Sequence, residues 1–247
     1  MIAFFQKKDP LDFTPVDPLN KVKVLNIYPH DPDAFTQGLV IENGILYEGT
    51  GLYKHSTLRE VDLHSGKVIR KTTLEPSLFG EGITIMNDKI YQLTWKAHRG
   101  FIYDKTSFRK LGEFHYLTEG WGITNDGKSL IISDGSATLR YYDPESFMQV
   151  KTLQVTDTDN KPVKRLNELE FINGEIWANV WFDNRIARID SKNGKVISWI
   201  DLSFLWDQDL PQHKNQVLNG IAYEPRGEHV FVTGKNWPWL FEITYKP

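Results

Sequence analysis

The sequence contains five loose copies of one pattern, and this repeat restricts the possible folds more than any other feature. Each copy opens with a polar or aromatic residue, then a small residue or leucine, then an apolar run. The Gly or Leu anchors lie at positions 38, 82, 122, 169 and 220, so successive copies are 44, 40, 47 and 51 residues apart. A period of this size is typical of a propeller blade with four antiparallel strands.

The strand pattern inside the copies supports this reading. The first copy contains four strand-like runs, at about residues 36–42, 45–49, 57–62 and 68–74. The fifth copy has only three, and the alternating segment 22–28 can supply the fourth. We therefore predict an all-β, five-bladed β-propeller that is closed by an N-terminal strand in the last blade, an arrangement that leaves no open sheet edge.

The repeat also indicates the domain organisation. Of the 247 residues, we assign 1–20, which contain three prolines, to an extended arm, and 21–247 to a single propeller domain. Two stretches lie outside the repeat. We predict a polar loop at 156–165, and a short helix within 204–214 that ends before Pro211.

Composition excludes several classes of function. The net charge is −3 and no basic stripe is present, so we expect neither nucleic-acid nor anionic-membrane binding. No apolar run approaches the roughly 20 residues that a membrane span needs. The chain has no cysteine, which excludes disulfides, thiolate metal sites and cysteine nucleophiles.

The repeat predicts where polar and aromatic residues converge. The first two strands of a blade are antiparallel, so the start of strand one lies beside the end of strand two at the same mouth of the channel. Strand-one starts contain Phe35, Gln37, Phe79, Glu81, Trp121, Asn167, Glu168 and Asn219, and strand-two ends contain Glu48, Trp95, Ser133, Asp134, Trp181 and Lys235. Aromatic walls with a few polar groups are typical of a small-molecule pocket.

Each of these residues also has a purely structural interpretation. Glu81 lies between two glycines and would suit a solvated turn. Lys235 would suit an ordinary surface position, and the tryptophans would suit the wedge between blades. A carboxylate walled by tryptophan is instead desolvated, which raises its pKa and suits it to proton transfer.

The other rim residues remain open between the two interpretations. Ser133 and Asp134 fit a turn cap as well as a ligand site, and the same holds for Glu48. We expect at most one of Glu168 and Glu170 to face the channel.

A set of motifs distributed along the chain resembles one family. The motifs are Phe-Thr-Gln-Gly at 35–38, Phe-Gly-Glu-Gly at 79–82, Gln-Leu-Thr-Trp at 92–95, Glu-Gly-Trp-Gly at 119–122, Ser-Asp-Gly-Ser at 133–136, Asn-Glu-Leu-Glu at 167–170, Ala-Asn-Val-Trp at 178–181, Asn-Gly-Ile-Ala at 219–222 and Thr-Gly-Lys at 233–235. Together they resemble the glutamine cyclotransferases, and more narrowly the plant and bacterial glutaminyl cyclases. The resemblance covers about residues 21–245 in order.

The resemblance implies a five-bladed propeller that converts the N-terminal Gln of a peptide or protein to pyroglutamate and releases ammonia. It implies that Glu81 is the general acid/base. Lys235 and Asn167 are then expected among the catalytic residues, and Phe35, Gln37, Phe79, Trp95, Trp121 and Trp181 among those that bind substrate. Which of Lys235, Asn167 and Gln37 stabilises the oxyanion stays open.

We expect no cofactor and no metal, because the seven histidines are scattered without metal-ligand spacing. The resemblance also implies a secreted or periplasmic protein, although the apolar stretch within residues 1–8 is too short for a secretory signal. We expect a monomer.

Two other functions remain possible from the sequence. The rim carboxylates Glu48, Glu81, Asp134 and Glu168 would suit the Ca²⁺ of a lactonase-like propeller hydrolase, since Ca²⁺ prefers oxygen ligands. Lys235 argues against this, because an ammonium disfavours a neighbouring cation. The other alternative is a non-catalytic propeller that binds peptides or glycans.

Overall fold

Tight hairpins join the first and second strands of three of the repeat copies. Both central residues have positive φ at the pairs 43–44 (55° and 76°), 87–88 (52° and 58°) and 173–174 (50° and 86°). This is the conformation of a type I′ turn, whose twist matches that of the strands it joins. Asn, Asp and Gly adopt it most readily, so the sequence fixes these turns locally.

The computed structural model describes residues 21–205 and 216–245. These residues form five four-stranded sheets. Blade 1 contains β2 (Thr36–Glu42), β3 (Ile45–Thr50), β4 (Thr57–Val61) and β5 (Val68–Thr73). Blade 2 contains β6 (Gly80–Met86), β7 (Lys89–Thr94), β8 (Arg99–Asp104) and β9 (Lys110–His115). Blade 3 contains β10 (Ile123–Asn125), β11 (Leu130–Ile132), β12 (Thr138–Tyr142) and β13 (Gln149–Gln154).

The remaining two sheets are blades 4 and 5. Blade 4 contains β14 (Leu166–Ile172), β15 (Glu175–Val180), β16 (Arg185–Asp190) and β17 (Val196–Asp201). Blade 5 contains β18 (Leu218–Glu224), β19 (His229–Gly234) and β20 (Trp239–Tyr245), with β1 (Val22–Pro29) as its outer strand. The predicted strand at 22–28 is therefore present, and it pairs antiparallel with β20 from Val22–Tyr245 to Pro29–Trp239.

The first strand of each blade lines the centre of the ring. β2 contacts β6, β6 contacts β10, β10 contacts β14, β14 contacts β18, and β18 contacts β2 again. The all-β, five-bladed prediction is thus confirmed. The innermost strands are almost wholly buried, whereas outer strands such as β5 and β13 are largely exposed.

Apolar side chains fill the five wedges between neighbouring blades. One buried cluster lies at each interface, and the described residues account for all five. Trp177 belongs to the cluster between blades 4 and 5. Some tryptophans therefore do fill the wedges, as the structural interpretation expects.

Two stretches of the chain, 156–165 and 204–214, lie outside the repeat. Residues 156–165 form the predicted loop, and Thr156 bridges both Pro162 and Lys195. Ser203–Leu205 is a short 3₁₀ helix. Most of the helix predicted within 204–214 lies outside the described residues, as does the arm at 1–20. Within the described ranges, no helix has the length and apolar character to cross a membrane.

Candidate active site

β-Bulges shape the pocket mouth of the ring. The register between strands one and two shifts at the start of four blades, between Thr36 and Gly38 and at the equivalent points of β6, β14 and β18. A bulge re-aims the side chain that it contains. The residues inside these four bulges are Gln37, Glu81–Gly82, Asn167–Glu168 and Asn219–Gly220. In these four blades, the positions that are equivalent between the sequence copies therefore lie where a bulge interrupts the hydrogen-bond ladder between strands one and two.

Glu81 has a strongly shifted pKa at this mouth. Its side chain is buried, and no hydrogen-bond donor among the described residues contacts it. Burial raises the pKa of Glu81 well above its ordinary value, the charge of Lys235 opposes this rise, and the charge of Glu119 adds to it. A carboxyl whose pKa is raised in this way keeps its proton to higher pH than an exposed glutamate does, which suits proton transfer.

Lys235 supplies the positive charge of the site. It follows β19 in blade 5, is buried, and its Nζ lies 4.9 Å from the centre of the Phe35 ring. Burial lowers its pKa to about 8, and the charge of Glu81 partly counteracts this. The Nζ of Lys235 lies more than 4.0 Å from both carboxyl oxygens of Glu81, so the two side chains do not form an ion pair.

Aromatic rings form the wall around these two groups. The rings of Phe35 and Phe79 meet edge to face at 6.2 Å, and Phe79 meets Trp95 in the same way at 5.6 Å. On the other side, Trp121 and Trp181 meet edge to face at 5.5 Å. Such rings exclude water and strengthen every charge interaction inside the pocket.

Two amides add directed polar groups. The side chain of Asn167 is buried and makes no hydrogen bond with the described residues, whereas its backbone carbonyl accepts one from Ser133. The Oε1 of Gln37 accepts a hydrogen bond of 3.4 Å from Asn219, which also donates to the carbonyl of Thr36 at 2.9 Å. This fixes the Gln37 amide and leaves its NH₂ group for a ligand.

The structure therefore brings together all nine residues that the sequence assigned to the site. It also places three others there. Glu119 accepts hydrogen bonds from two wall indoles. Tyr53 packs edge to face on Phe79 at 5.4 Å, and Phe182 stacks on Trp181 at 4.4 Å. Glu119 lies within the Glu-Gly-Trp-Gly motif, three residues before the anchor at 122, which is the position that Phe35 and Phe79 occupy in blades 1 and 2. The comparison between copies could therefore have found it.

Three rim residues left open by the sequence serve the scaffold. Glu48 is buried and accepts hydrogen bonds from His30 at 3.1 Å and Thr36 at 2.7 Å. Ser133 donates to the Asn167 carbonyl, and Asp134 caps a turn and pairs with an arginine. Their polar atoms are thus engaged within the protein.

The expectation for Glu168 and Glu170 was wrong. Residues two apart on a strand share a face, so both carboxyls point into the channel. Glu168 accepts hydrogen bonds from the backbone N–H groups of Leu39 at 3.3 Å and Ile221 at 2.9 Å, and Glu170 accepts one from that of Tyr223 at 3.0 Å. Burial raises the pKa of both, that of Glu170 to about 8. They connect blade 4 with blade 5 and, across the channel, with blade 1.

No group of three or more His, Cys, Asp or Glu side chains suited to a metal occurs within residues 21–205 and 216–245. The carboxylates proposed for Ca²⁺ do not converge on one point. Glu48, Asp134 and Glu168 each bind protein donors instead.

The fold and the site define an enzyme: a five-bladed propeller with a desolvated carboxyl, a buried amine and an aromatic wall at one mouth. The chain belongs to the glutamine cyclotransferase family, whose profile matches residues 5–245. The resemblance found in the sequence is thereby confirmed.

Two relatives carry related names. The glutaminyl-peptide cyclotransferase of Arabidopsis thaliana is 44% identical over 232 residues, which cover 92% of this chain and 72% of the relative. The crystal structure of Myxococcus xanthus glutaminyl cyclase matches with a TM-score of 0.85 and 35% identity, over 90% of this chain and 95% of that one.

Proposed function

We propose that this chain is a glutaminyl-peptide cyclotransferase that closes the N-terminal Gln of a peptide or protein to pyroglutamate without a metal, with Glu81 as general acid/base. The observation that carries the proposal is the carboxyl of Glu81, which is buried, accepts no hydrogen bond from the described residues and lies close enough to Lys235 for their charges to interact. The family and the named relatives support the reaction.

The first task of such an enzyme is to hold a folded substrate. The α-nitrogen of the substrate attacks the carbon of its own side-chain amide, so the nucleophile is already tethered. Holding the two atoms in near-attack geometry removes much of the entropic part of the barrier. The rings of Phe35, Phe79, Trp95, Trp121 and Trp181 provide a rigid wall for this.

The second task is proton transfer. The new bond joins the α-nitrogen to the amide carbon, and the bond from that carbon to the amide nitrogen breaks, so ammonia leaves. Ionised Glu81 takes the proton that the α-nitrogen loses, and the protonated carboxyl then delivers it to the leaving nitrogen. A raised pKa suits both steps, because a carboxyl is the better proton acceptor and donor when its pKa lies closer to the working pH.

The third task is to stabilise the negative oxygen of the tetrahedral intermediate. Lys235 and the side chains of Asn167 and Gln37 have donors without acceptors among the described residues. Hydrogen-bond donors that are already in place need not reorganise as the negative charge develops on the oxygen. This lowers the free energy of the transition state and is the main advantage of an oxyanion site.

The test is ammonia release from a Gln-initiated dipeptide amide, with and without EDTA, by wild type and Glu81→Gln. Glu145→Gln, which changes a carboxyl on the exposed surface, is the matched control. We expect release that EDTA does not affect, full activity in the control, and a loss of about 10²–10⁴-fold in folded Glu81→Gln.

Three results would contradict the proposal. Retained activity in Glu81→Gln would remove the acid/base role. Loss of activity in EDTA that Ca²⁺ restores would favour the hydrolase alternative. Binding of the dipeptide by folded wild type without ammonia release would favour a binding propeller.

A further inference from the structure

Glu119 joins two walls of the pocket that come from different blades. It lies in the connection from β9 to β10. Its Oε2 accepts a hydrogen bond of 2.7 Å from the indole N–H of Trp95 in blade 2, and one of 3.0 Å from that of Trp121, which leads into blade 3. Hydrogen bonds to an ionised acceptor are roughly twice as strong as neutral ones.

The remaining contacts of Glu119 hold its carboxylate at the mouth. Its Oε1 lies 3.9 Å from the Nζ of Lys96, which itself lies 4.0 Å from the centre of the Trp95 ring. The Glu119 side chain is 37% exposed. The carboxylate therefore sits between the aromatic wall and solvent, bound on one side by two indoles and faced on the other by a surface lysine.

We propose that Glu119 is a positioning residue of this site, which fixes the indoles of Trp95 and Trp121 and places a negative charge near the carboxyl of Glu81. Without this acceptor, two N–H donors would be free to turn into the pocket and bind the substrate amide in unproductive poses. The kinetic part of this inference rests on the proposed function; the structural and electrostatic parts do not.

The electrostatic part has a defined direction. Among the residues that the structure describes, three groups interact with the Glu81 charge: Lys235 lowers its pKa, Glu119 raises it, and Tyr116 is a neighbour whose own pKa is raised. Removing the charge of Glu119 leaves Lys235 unopposed. The pKa of Glu81 then falls.

Two substitutions separate the charge from the hydrogen bonds. Glu119→Gln keeps an oxygen for the indoles and loses the charge, whereas Glu119→Leu loses both. The first readout needs no substrate: the ¹³C signal of the Glu81 carboxyl, assigned by its loss in Glu81→Gln, is titrated by NMR, and the two indole N–H signals are observed in the same samples. The second readout is the pH profile of kcat/KM for the dipeptide amide.

In Glu119→Gln we expect the Glu81 midpoint and the acid limb of kcat/KM to move together to lower pH, with the indole signals largely kept. In Glu119→Leu we expect both indole signals to shift and kcat to fall by about 10–100-fold, since a small displacement of a positioning group has effects of that size. Glu145→Gln should leave the midpoint, the signals and the rate as in wild type.

The inference would be overturned if the titration midpoint of Glu81 did not move in Glu119→Gln. It would also be overturned if Glu119→Leu kept both the indole signals and the kcat of wild type. If Glu119→Leu fails to fold, Glu119→Gln still decides the electrostatic part. If the midpoint moves but no variant, wild type included, releases ammonia, the inference about Glu119 stands and the proposed function fails.

Discussion

Glu81 and Lys235 share one buried pocket, and each shifts the pKa of the other, yet they do not form an ion pair within 4.0 Å. They come from blades 2 and 5, so the ring as a whole sets their separation. Charges that face each other across a pocket without contact remain available to a third group. A substrate can therefore use both at once.

This relationship predicts the effect of Lys235→Met on the pH profile. The positive charge lowers the pKa of Glu81, so its removal raises that pKa further. Because the proposed mechanism uses ionised Glu81 as the base, the acid limb of kcat/KM should move to higher pH, and kcat should fall by about 10²–10³-fold from loss of the proposed oxyanion donor. Lys235→Arg keeps the charge and should leave the acid limb near its wild-type position. If the acid limb of kcat/KM lay at the same pH in Lys235→Met and Lys235→Arg, the coupling between the charges of Lys235 and Glu81 would be refuted.

Gly135 gives a test of the pocket wall with a matched control. It has φ of +78°, and an added Cβ would lie 2.7 Å from the ring of Trp121. Gly135→Ala should displace this indole and lower kcat/KM about tenfold or more. Gly127 has φ of +80° with no atom within 4 Å of an added Cβ. Gly127→Ala should have the same backbone cost, about 1 kcal/mol of unfolding free energy, with unchanged kinetics. Equal kinetic losses in both variants would contradict this.

The carboxyl of Glu170 predicts how stability depends on pH. Its pKa is raised to about 8 in the folded protein, so the folded state binds more protons than the unfolded state between the ordinary value and about 8. Stability therefore decreases as pH rises through this range, by up to about 1.4 kcal/mol for each unit of pKa difference. Urea unfolding at pH 5, 7 and 9 should show this decrease in wild type and a smaller one in Glu170→Gln. A parallel decrease in both would show that another group is responsible.

The exposed ring of Phe182 is expected to contribute to activity but not to stability. It has φ of 66°, is 54% exposed, and stacks on Trp181. An aromatic residue held in this backbone region is strained, and such strain is often found at functional sites. Phe182→Asn, which suits the backbone, should keep the unfolding midpoint and lower kcat/KM several-fold. Phe182→Tyr keeps the stacked ring and should retain most of the activity. A lower midpoint with unchanged kinetics in the Asn variant would indicate a structural role only.

The repeat allowed most of the fold to be predicted, because blade period, hairpin turns and strand alternation are local properties. The pairs at 43–44 and 173–174 carry their turn type in their residue types. Equivalent positions between blades located the mouth of the channel. The assignment of Glu81 as acid/base came from the family resemblance, since a glutamate between two glycines has no distinctive local pattern.

The features of the site that could not be predicted from the sequence depend on contacts between blades. Glu119 occupies the same position in its copy as Phe35 and Phe79, but its hydrogen bond with the indole of Trp95, 24 residues away, could not be predicted from that spacing. Glu168 and Glu170 were read as alternating residues, and only the structure shows that both accept hydrogen bonds from the backbone of other blades, namely blades 1 and 5. Glu48 and Asp134 stayed open between a scaffold role and a ligand role because their partners, His30 and an arginine, are remote in sequence or lie on another strand.

The pairing of β1 with β20 has a consequence for the order of events during synthesis. A ribosome makes Val22 more than 200 residues before its partner Tyr245, so β1 emerges long before the strand that it will pair with. Contacts between such distant segments form late and slow the folding of a chain. Lys235 also lies in this last blade. A nascent chain can therefore complete its first four blades with Glu81 already in place and still lack the amine that faces it, so the proposed reaction centre can be assembled only after blade 5 has been made.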